Sequence, residues 1–376
     1  MIREEISRRF SFGTLPRNKI STTPLRRFII PLLAASIVMS GCAEKTVESA
    51  AEAGTVRVTE IKAEEQTKIY LSMATNGDWG VSFKGQVMEK ELESLEQRTG
   101  ETMKIKLYDR SRLGDDLHLI SGVQTGSIDI VQSSPSMQIN AVPEAAMFDI
   151  PGFFDTLDEW NALFESDYRH VIEEYYEEAD LVLLDLFAYA YRNLSSREPV
   201  VTTADLQGIR IRTQENKYHE AYWDSLGATA IPYRFAELYF CLHEGMADAQ
   251  ENLLDVMLSD HLYEVQNCIT FTRHMPMVSA VAVNREKYES LTSEQKEELK
   301  QFTKGLKEAL IRQMPEEEIR QIETLDNDYG ITMLEPSGEL QESMKAGTAV
   351  VLDLLRSELG NEKVDTFLQA ADKVRK

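Results

Sequence analysis

Strand and helix patterns alternate along the chain from about Thr67 onward, and this alternation limits the possible folds more than any other feature of the sequence. Residues 103–108 read Met-Lys-Ile-Lys-Leu-Tyr, a period-two strand pattern, whereas residues 81–97 carry apolar residues at helical spacing. A long helix is predicted over residues 293–314. Such alternation is typical of α/β layers built on mostly parallel sheets. Roughly 310 residues can bury a large core, and we expect them to split into two lobes.

The N-terminus carries the pattern of an export signal. Arg26 and Arg27 precede an apolar run over residues 28–39, which is followed by Ser-Gly and then Cys42. A cysteine at this place resembles a bacterial lipoprotein signal. We therefore predict a signal peptide over residues 1–41, lipidation of Cys42, a flexible tether over residues 42–66, and an extracytoplasmic protein anchored to the membrane. The alternative is a membrane-spanning helix, but about 12 apolar residues fall short of the roughly 20 that a span needs.

The chain is strongly acidic, with 40 basic and 63 acidic residues and a net charge of −23. Residues 1–41 hold seven basic and two acidic residues, so the exported chain has a net charge of −28. Such a surface repels nucleic acid and anionic lipid headgroups. Besides Cys42, the sequence contains Cys241 and Cys268. Either a disulfide or two buried thiols would be compatible with a location outside the cytoplasm.

The common sequence motifs of catalysis and metal binding are missing. The sequence has no Walker A motif, no Gly-x-Gly-x-x-Gly after a strand and no Gly-x-Ser-x-Gly. His170 and Glu174 have the spacing of a helical metal pair, but they lie in a run of charged residues that favours a solvated face. A carboxylate pair for glycoside hydrolysis stays open, because an acidic chain offers many such pairs. We predict a protein without a cofactor or a metal, and not an enzyme.

The segment from Asp205 to Gln266 indicates a binding site for an anion. Arg212 ends an apolar strand, Phe235 follows a helical segment, and a Gln-Glu-Asn run ends at Asn252. An arginine can hold a carboxylate in a planar, two-point grip. This combination of side chains favours the capture of an organic acid over chemistry on one.

The same segment resembles the core of the solute-binding proteins of tripartite ATP-independent periplasmic (TRAP) transporters, the type that binds dicarboxylates and sugar acids. The resemblance covers nearly all of residues 67–370, and its motifs are specific in combination. The matching positions are Asp205, Leu206, Gly208, Arg212, Gly227, Ala228, Pro232, Phe235, Glu237, Tyr239, Leu242, Asp248, Gln250, Glu251, Asn252 and residues 263–266, with residues 113–114, 126–129 and 151–154 upstream.

The resemblance implies a two-lobed α/β fold of the periplasmic-binding-protein kind, with a central ligand cleft and a hinge. Lobe I would comprise residues 67–192 and 277–314, and lobe II would comprise residues 193–276 and 315–376. The partners implied are a small organic acid and the small and large TRAP membrane subunits, which import the solute with an ion gradient.

The resemblance also assigns ligand contacts. Arg212 corresponds to the arginine that clamps the ligand carboxylate, and Arg192 to a second arginine at the crossover between lobes. Asn252 corresponds to an asparagine that hydrogen-bonds the same end of the ligand, and Phe235 to an aromatic residue that packs on it. Weaker candidates are Gln214, Tyr239, Asn76, Asp78, Asp115 and Ser134.

Two features bear on the ligand. Ala249 and Leu253 replace the usual glycine and proline of the family, which could alter this loop without removing the Asn252 side chain. Residues 132–137 read Gln-Ser-Ser-Pro-Ser-Met and carry no charge, so this part of the pocket favours a sugar acid, such as a uronate or an aldonate, over a C4-dicarboxylate. A sensor module for a membrane kinase and a secreted hydrolase are the alternatives from other classes.

Overall fold

A computed structural model describes residues 68–375. The predicted signal peptide, the tether and the lipidation site Cys42 lie outside the described residues. Within them the chain forms nine strands and eleven helices. In chain order these are β1 Ile69–Ala74, α1 Phe83–Arg98, β2 Met103–Tyr108, α2 Asp116–Gln124, β3 Ile130–Ser133, α3 Leu157–Phe164, α4 Arg169–Glu178, β4 Leu181–Ser196, β5 Arg210–Thr213, α5 Lys217–Ser225, β6 Thr229–Pro232, α6 Leu238–His243, β7 Ala249–Asn252, α7 Leu254–Ser259, β8 Cys268–Asn284, α8 Arg285–Ser290, α9 Ser293–Asn327, β9 Thr332–Leu334, α10 Gly338–Leu359 and α11 Asn361–Val374.

All nine strands belong to one sheet with the order β2-β1-β3-β8-β4-β7-β5-β6, and β9 pairs with β8. The pairs β1–β2, β1–β3, β5–β6, β5–β7 and β8–β9 are parallel. The pairs β3–β8, β4–β7 and β4–β8 are antiparallel. The expected α/β class is therefore confirmed, but the sheet is mixed rather than mostly parallel, because two long antiparallel strands run through its centre.

These two central strands connect the halves of the sheet. The half made of β1, β2 and β3 joins the C-terminal end of β8, where Ile130 pairs with Val283. The half made of β5, β6 and β7 joins the C-terminal end of β4, where Asn193 pairs with Asn252. The β4–β8 register shifts between Arg192 and Leu194, next to this junction. Such irregularities bend strands locally. The predicted boundaries of the two lobes stay a prediction.

The sheet is buried on both faces. Along β8, Ala280 and Ala282 belong to one apolar cluster with Trp160. Val281 and Val283 alternate with them and belong to a second cluster, which includes β1 and the first half of α9. This is the period-two arrangement that a strand imposes on its side chains. A third cluster packs α6 and α7 against the N-terminal part of β8 and the end of α9.

Helix α9 is longer than the sequence pattern predicts. It begins at a capping box, in which Thr292 accepts a hydrogen bond from the N–H of Gln295, and it continues through Pro315 to Asn327. The predicted end at residue 314 is wrong. Proline removes one backbone donor from a helix. The helix nevertheless continues past Pro315, because α9 packs against α1 in its first half and against α7 in its second half.

Two further observations concern the described residues. Cys241 and Cys268 are both buried and free, which settles the alternative between a disulfide and two thiols in favour of thiols. None of the helices in residues 68–375 has the length and apolarity that crossing a membrane requires.

Candidate functional site

A cleft lies at the junction between the two halves of the sheet. The space between its walls, counted out to its open mouth, is about 580 Å³. Its walls come from the loop after β1, the start of α1, the end of β3, the middle of β4 and β8, and the region from β7 to α7. The lining residues are Asn76, Gly77, Asp78, Trp79, Ser82, Lys84, Ser133, Ser134, Arg192, Gln214, Phe235, Asn252, Leu253, Asp255, Val256, Ser259, Asp260 and Met277.

Six of the predicted ligand contacts besides Arg192 line this cleft. Gln214 is held in place because its Oε1 accepts a hydrogen bond from the hydroxyl of Ser136 at 2.9 Å, and Ser136 also lies 2.8 Å from Ser134. The Asn252 side chain accepts from the N–H of Leu253 at 3.1 Å. The structure thus brings together residues far apart in sequence: Asn76, Asp78, Ser134, Gln214, Phe235 and Asn252.

Arg212 lies near the end of β5, is not one of the residues that line the cleft, and is only 1% exposed. Its Nε and Nη2 donate to the carbonyl oxygen of Tyr233 at 3.0 and 2.6 Å. Its Nη1 has no hydrogen-bond partner among the described residues. Burial lowers the pKa of Arg212 to about 10, and Glu251 opposes this shift. A buried cationic donor without a partner favours an anionic ligand, because leaving it unpaired is costly.

Arg192 lines the cleft but already has a carboxylate partner. Its Nε and Nη2 form a two-point ion pair with Glu251, with Nη2 at 2.8 Å from Oε1, and Nη2 also donates to the Glu251 carbonyl oxygen at 2.8 Å. Nη1 contacts the sulfur of Met277 at 3.6 Å. Burial alone would raise the pKa of Glu251, but the Arg192 charge and the hydrogen bonds from His274 and Arg192 together outweigh it and hold that pKa far below its usual range. Arg192 therefore brings little free charge to the cleft.

His274 lies beside this ion pair. Its Nε2 lies 3.4 Å from Glu251 Oε2, and Nδ1 lies 2.8 Å from the hydroxyl of Thr272. Burial lowers the pKa of His274, and Glu251 opposes the shift. The spacing of the histidines in sequence did not indicate this contact, because it depends on pairing between distant strands.

Besides Arg212, two further predicted contacts, Asp115 and Tyr239, lie outside the walls of the cleft. Asp115 caps α2 by accepting from the N–H of His118 at 3.1 Å, and it forms an ion pair with Arg234 at 3.0 Å. The hydroxyl of Tyr239 donates to Glu264 at 2.7 Å. Both side chains are therefore engaged with other protein groups outside the cleft lining.

Asp116, the neighbour of Asp115, has a buried carboxylate. Its Oδ1 is buried and without a partner in the part of the chain that the structure describes. Burial raises the pKa of Asp116 to about 7, and the nearby Arg212 charge opposes this shift. Two adjacent aspartates at a helix start could not be told apart from sequence, because either can serve as the N-cap.

Sequence reasoning missed four prominent residues of the cleft, namely Trp79, Lys84, Asp255 and Asp260. Trp79 and Lys84 flank the start of α1, where Ser82 is the N-cap. Asp255 accepts hydrogen bonds from the N–H groups of Phe83 and Lys84 at 3.0 and 3.3 Å, although it lies more than 170 residues later. The helix signal at Ser82 was readable, but the return of Asp255 to it was not.

Comparisons with known proteins identify the family of this chain. Residues 81–358 match the DctP family, described as "Bacterial extracellular solute-binding protein, family 7". The 2,3-diketo-L-gulonate-binding periplasmic protein YiaO of Escherichia coli is 29% identical over 281 residues, which cover 73% of this chain and 80% of that protein.

Solved structures support the same relationship. A TRAP periplasmic solute-binding protein of Bordetella bronchispeptica, with density interpreted as pantoate, is 25% identical with a TM-score of 0.72, over 80% of this chain and 98% of that one. The sugar acid binding protein DctPAm of Advenella mimigardefordensis, in complex with galactonate, is similar in fold, with a TM-score of 0.76, 23% identity, and coverage of 82% and 99%. The chain therefore belongs to the family 7 bacterial extracellular solute-binding proteins, the binding proteins of TRAP transporters.

Proposed function

We propose that this protein captures an organic acid outside the cytoplasm and delivers it to the small and large membrane subunits of a TRAP transporter. An ion gradient would then drive import. Members of this family are solute-binding proteins rather than enzymes. The cleft offers hydrogen-bonding groups and a buried cation, which suit reversible binding.

The free Nη1 of Arg212 is the observation that carries this proposal. The chain has a net charge of −23, so its long-range field opposes the approach of an anion. Binding must therefore come from local contacts in a desolvated site, where a charge-assisted hydrogen bond is strong. Arg212 would hold the ligand carboxylate, and Asn252 and Gln214 would hydrogen-bond around it. Phe235 would pack on the carbon chain.

The ligand is proposed to be a sugar acid, such as a uronate or an aldonate, with a C4-dicarboxylate as the second class. Ser133 and Ser134 supply hydroxyl groups to the wall, and the loop over residues 132–137 carries no charge. The relative from Escherichia coli is named for a keto sugar acid. That name describes the relative, and it supports the class of ligand proposed for this chain.

A lipid anchor on Cys42 is part of the same proposal. It would hold the protein at the membrane that contains its transporter, with residues 42–66 as the tether. Radiolabelled palmitate incorporation into the full chain tests this, with Cys42→Ala as the control. Equal labelling of both proteins would contradict the anchor.

A thermal-shift screen tests the function. A ligand that binds only the folded protein raises its unfolding temperature by mass action. We expect stabilisation by one or more sugar acids or small organic acids, and loss of that stabilisation in Arg212→Met. Stabilisation by uncharged sugars that survives Arg212→Met would contradict capture through a carboxylate.

A further inference from the structure

The wall of the cleft next to α1 combines hydrogen-bond donors with carboxylates. It is formed by Trp79 and Lys84, with Asp78 beside them and Asp255 and Asp260 contributed by the α7 region. In the order of the sheet, the loop after β1 and the Arg212 strand β5 are separated by four strands. Trp79 and Lys84 also line the open cleft, whereas Arg212 does not, so this wall would contact a part of the ligand other than the carboxylate that Arg212 would hold.

Trp79 presents a donor that lacks a partner. Its side chain is buried, with the residue 5% exposed, and no group in residues 68–375 accepts a hydrogen bond from its indole N–H. Gly77 also lines the cleft, and a Cβ at that position would lie only 3.3 Å from the indole nitrogen. The absence of a side chain at Gly77 keeps the approach to this N–H open. Buried donors of this kind are rare unless something accepts from them.

Lys84 supplies a second donor beside the first. Its ammonium lies 4.8 Å from the centre of the Trp79 ring. The Lys84 backbone is fixed because its N–H donates to Asp255 at 3.3 Å. Burial lowers the pKa of Lys84 to about 8, and Asp255 opposes the shift. The side chain is therefore mostly protonated at neutral pH, with three N–H donors.

Three carboxylates surround these donors. Asp78 is paired with Arg110 at 2.6 Å, and Asp260 accepts from the hydroxyl of Ser259 at 2.7 Å. Asp255 accepts from the backbone at the start of α1. Each carboxylate has further acceptor sites beyond these contacts. Donors next to acceptors suit hydroxyl groups, which both donate and accept, whereas a second carboxylate would lie beside other carboxyl groups.

We infer that Trp79, Lys84 and Asp260 form a subsite for the hydroxyl groups of the ligand, which makes the preferred ligand a polyhydroxy monocarboxylate and excludes a dicarboxylate. This inference rests on the proposed function, in which Arg212 holds the carboxylate. It extends that proposal because it selects one of the two ligand classes and assigns the selection to residues near α1.

Three sets of six-carbon acids test the subsite by calorimetry. The aldonates D-gluconate, D-galactonate and L-gulonate have hydroxylated tails, hexanoate has an apolar tail, and adipate ends in a second carboxylate. We expect the tightest aldonate to bind at least about 10-fold more tightly than adipate and hexanoate. Trp79→Phe keeps the ring but removes the N–H, and should weaken that aldonate about fivefold, the effect of about one hydrogen bond. Lys84→Met should weaken it by a similar factor.

The controls separate this inference from the proposed function. Lys104→Met removes an exposed lysine of β2 that pairs with Glu96, and it should leave all affinities unchanged. Adipate binding as tightly as the best aldonate would overturn the subsite while leaving capture by Arg212 intact. The subsite would also be overturned if Trp79→Phe and Lys84→Met weakened the binding of the aldonate and of hexanoate by the same factor. Failure of all the acids to bind the wild-type chain would overturn the proposed function and the subsite together.

Discussion

Arg212 donates to the carbonyl oxygen of Tyr233 through both Nε and Nη2, which fixes the guanidinium plane and leaves Nη1 without a hydrogen-bond partner among residues 68–375. Arg212→Lys keeps the positive charge but cannot form this fork. Hydrogen bonds to charged groups contribute about 1.5–3 kcal/mol. We therefore expect a loss of affinity of about 10- to 100-fold, measured by calorimetry with the ligand identified in the screen.

The matched control for this variant is Arg210→Lys. Arg210 lies two residues earlier in the same strand, but it is partly exposed and forms its ion pair with Asp248 at 2.6 Å. An exposed pair contributes little, so ligand affinity should stay within about twofold of wild type. Similar losses of ligand affinity in both variants would mean that Arg212 affects binding by supporting β5 and not by contacting the ligand.

Glu251→Gln tests the buried ion pair with Arg192. Both side chains are at most 2% exposed, and removing one partner leaves an uncompensated buried charge. Breaking such a pair costs about 3–5 kcal/mol. We expect a lower free energy of unfolding by about 3 kcal/mol in urea titrations without added ligand. The double variant Arg192→Met/Glu251→Gln should recover part of this loss, and an unchanged unfolding midpoint in Glu251→Gln would contradict the assignment.

Asp116→Asn tests a buried carboxylate through pH. The pKa of Asp116 is raised from 3.8 to about 7 in the folded chain. Because the pKa of Asp116 is higher in the folded chain than in the unfolded chain, protonation of Asp116 favours the folded state. This contribution to stability is complete below pH 3.8 and is lost as pH rises through 7. We therefore expect Asp116→Asn to be more stable than wild type at pH 8, by at most about 4 kcal/mol, and equally stable at pH 4. Chemical unfolding at the two pH values measures this.

One result would contradict this prediction for Asp116. Greater stabilisation at pH 4 than at pH 8 would show that the carboxylate is ionised and favourable in the folded chain. Asp372→Asn is a suitable control, because Asp372 is exposed in α11 with 71% of its side chain accessible.

Arg234→Gln tests the proposed closure of the lobes. Arg234 forms ion pairs with Asp115 at 3.0 Å and with Glu215 at 3.8 Å, and Asp115 belongs to the proposed lobe I whereas the other two belong to lobe II. Exposed pairs contribute up to about 1 kcal/mol. We expect up to about fivefold weaker ligand binding, with an unfolding midpoint close to that of wild type.

Binding measurements at high salt test whether the effect of Arg234→Gln is electrostatic. Because exposed charges are screened, adding salt to about 0.5 M should weaken binding by the wild-type chain and reduce its difference from Arg234→Gln. A difference that persists at high salt would argue against an electrostatic contact across the cleft.

Local patterns were sufficient to predict much of the fold. The alternation over residues 103–108 predicted β2, and the α/β class followed from the succession of such elements. The helix end at residue 314 was wrong because proline is a local signal, whereas the packing that carries α9 past Pro315 comes from distant parts of the chain. The mixed sheet was missed for the same reason, since strand direction depends on pairing between remote segments.

The candidate site shows the same division. Arg212, Phe235 and Asn252 belong to motifs that are visible in the sequence. In the structure, Phe235 and Asn252 line the cleft, whereas Arg212 is buried outside its lining. The partner of Arg192 was not predicted, because Glu251 meets it only through the β4–β7 pairing. Lys84 and Trp79 carried no motif at all, and only the fold brings them to the cleft.

The two buried thiols have a practical consequence. Burial raises the pKa of both Cys241 and Cys268, so neither side chain supplies the thiolate that oxidants and alkylating agents attack. These two thiols should therefore react slowly with thiol reagents until the protein is denatured. In a variant that lacks Cys42, an added surface cysteine would be the site that a fluorescent or spin label modifies first.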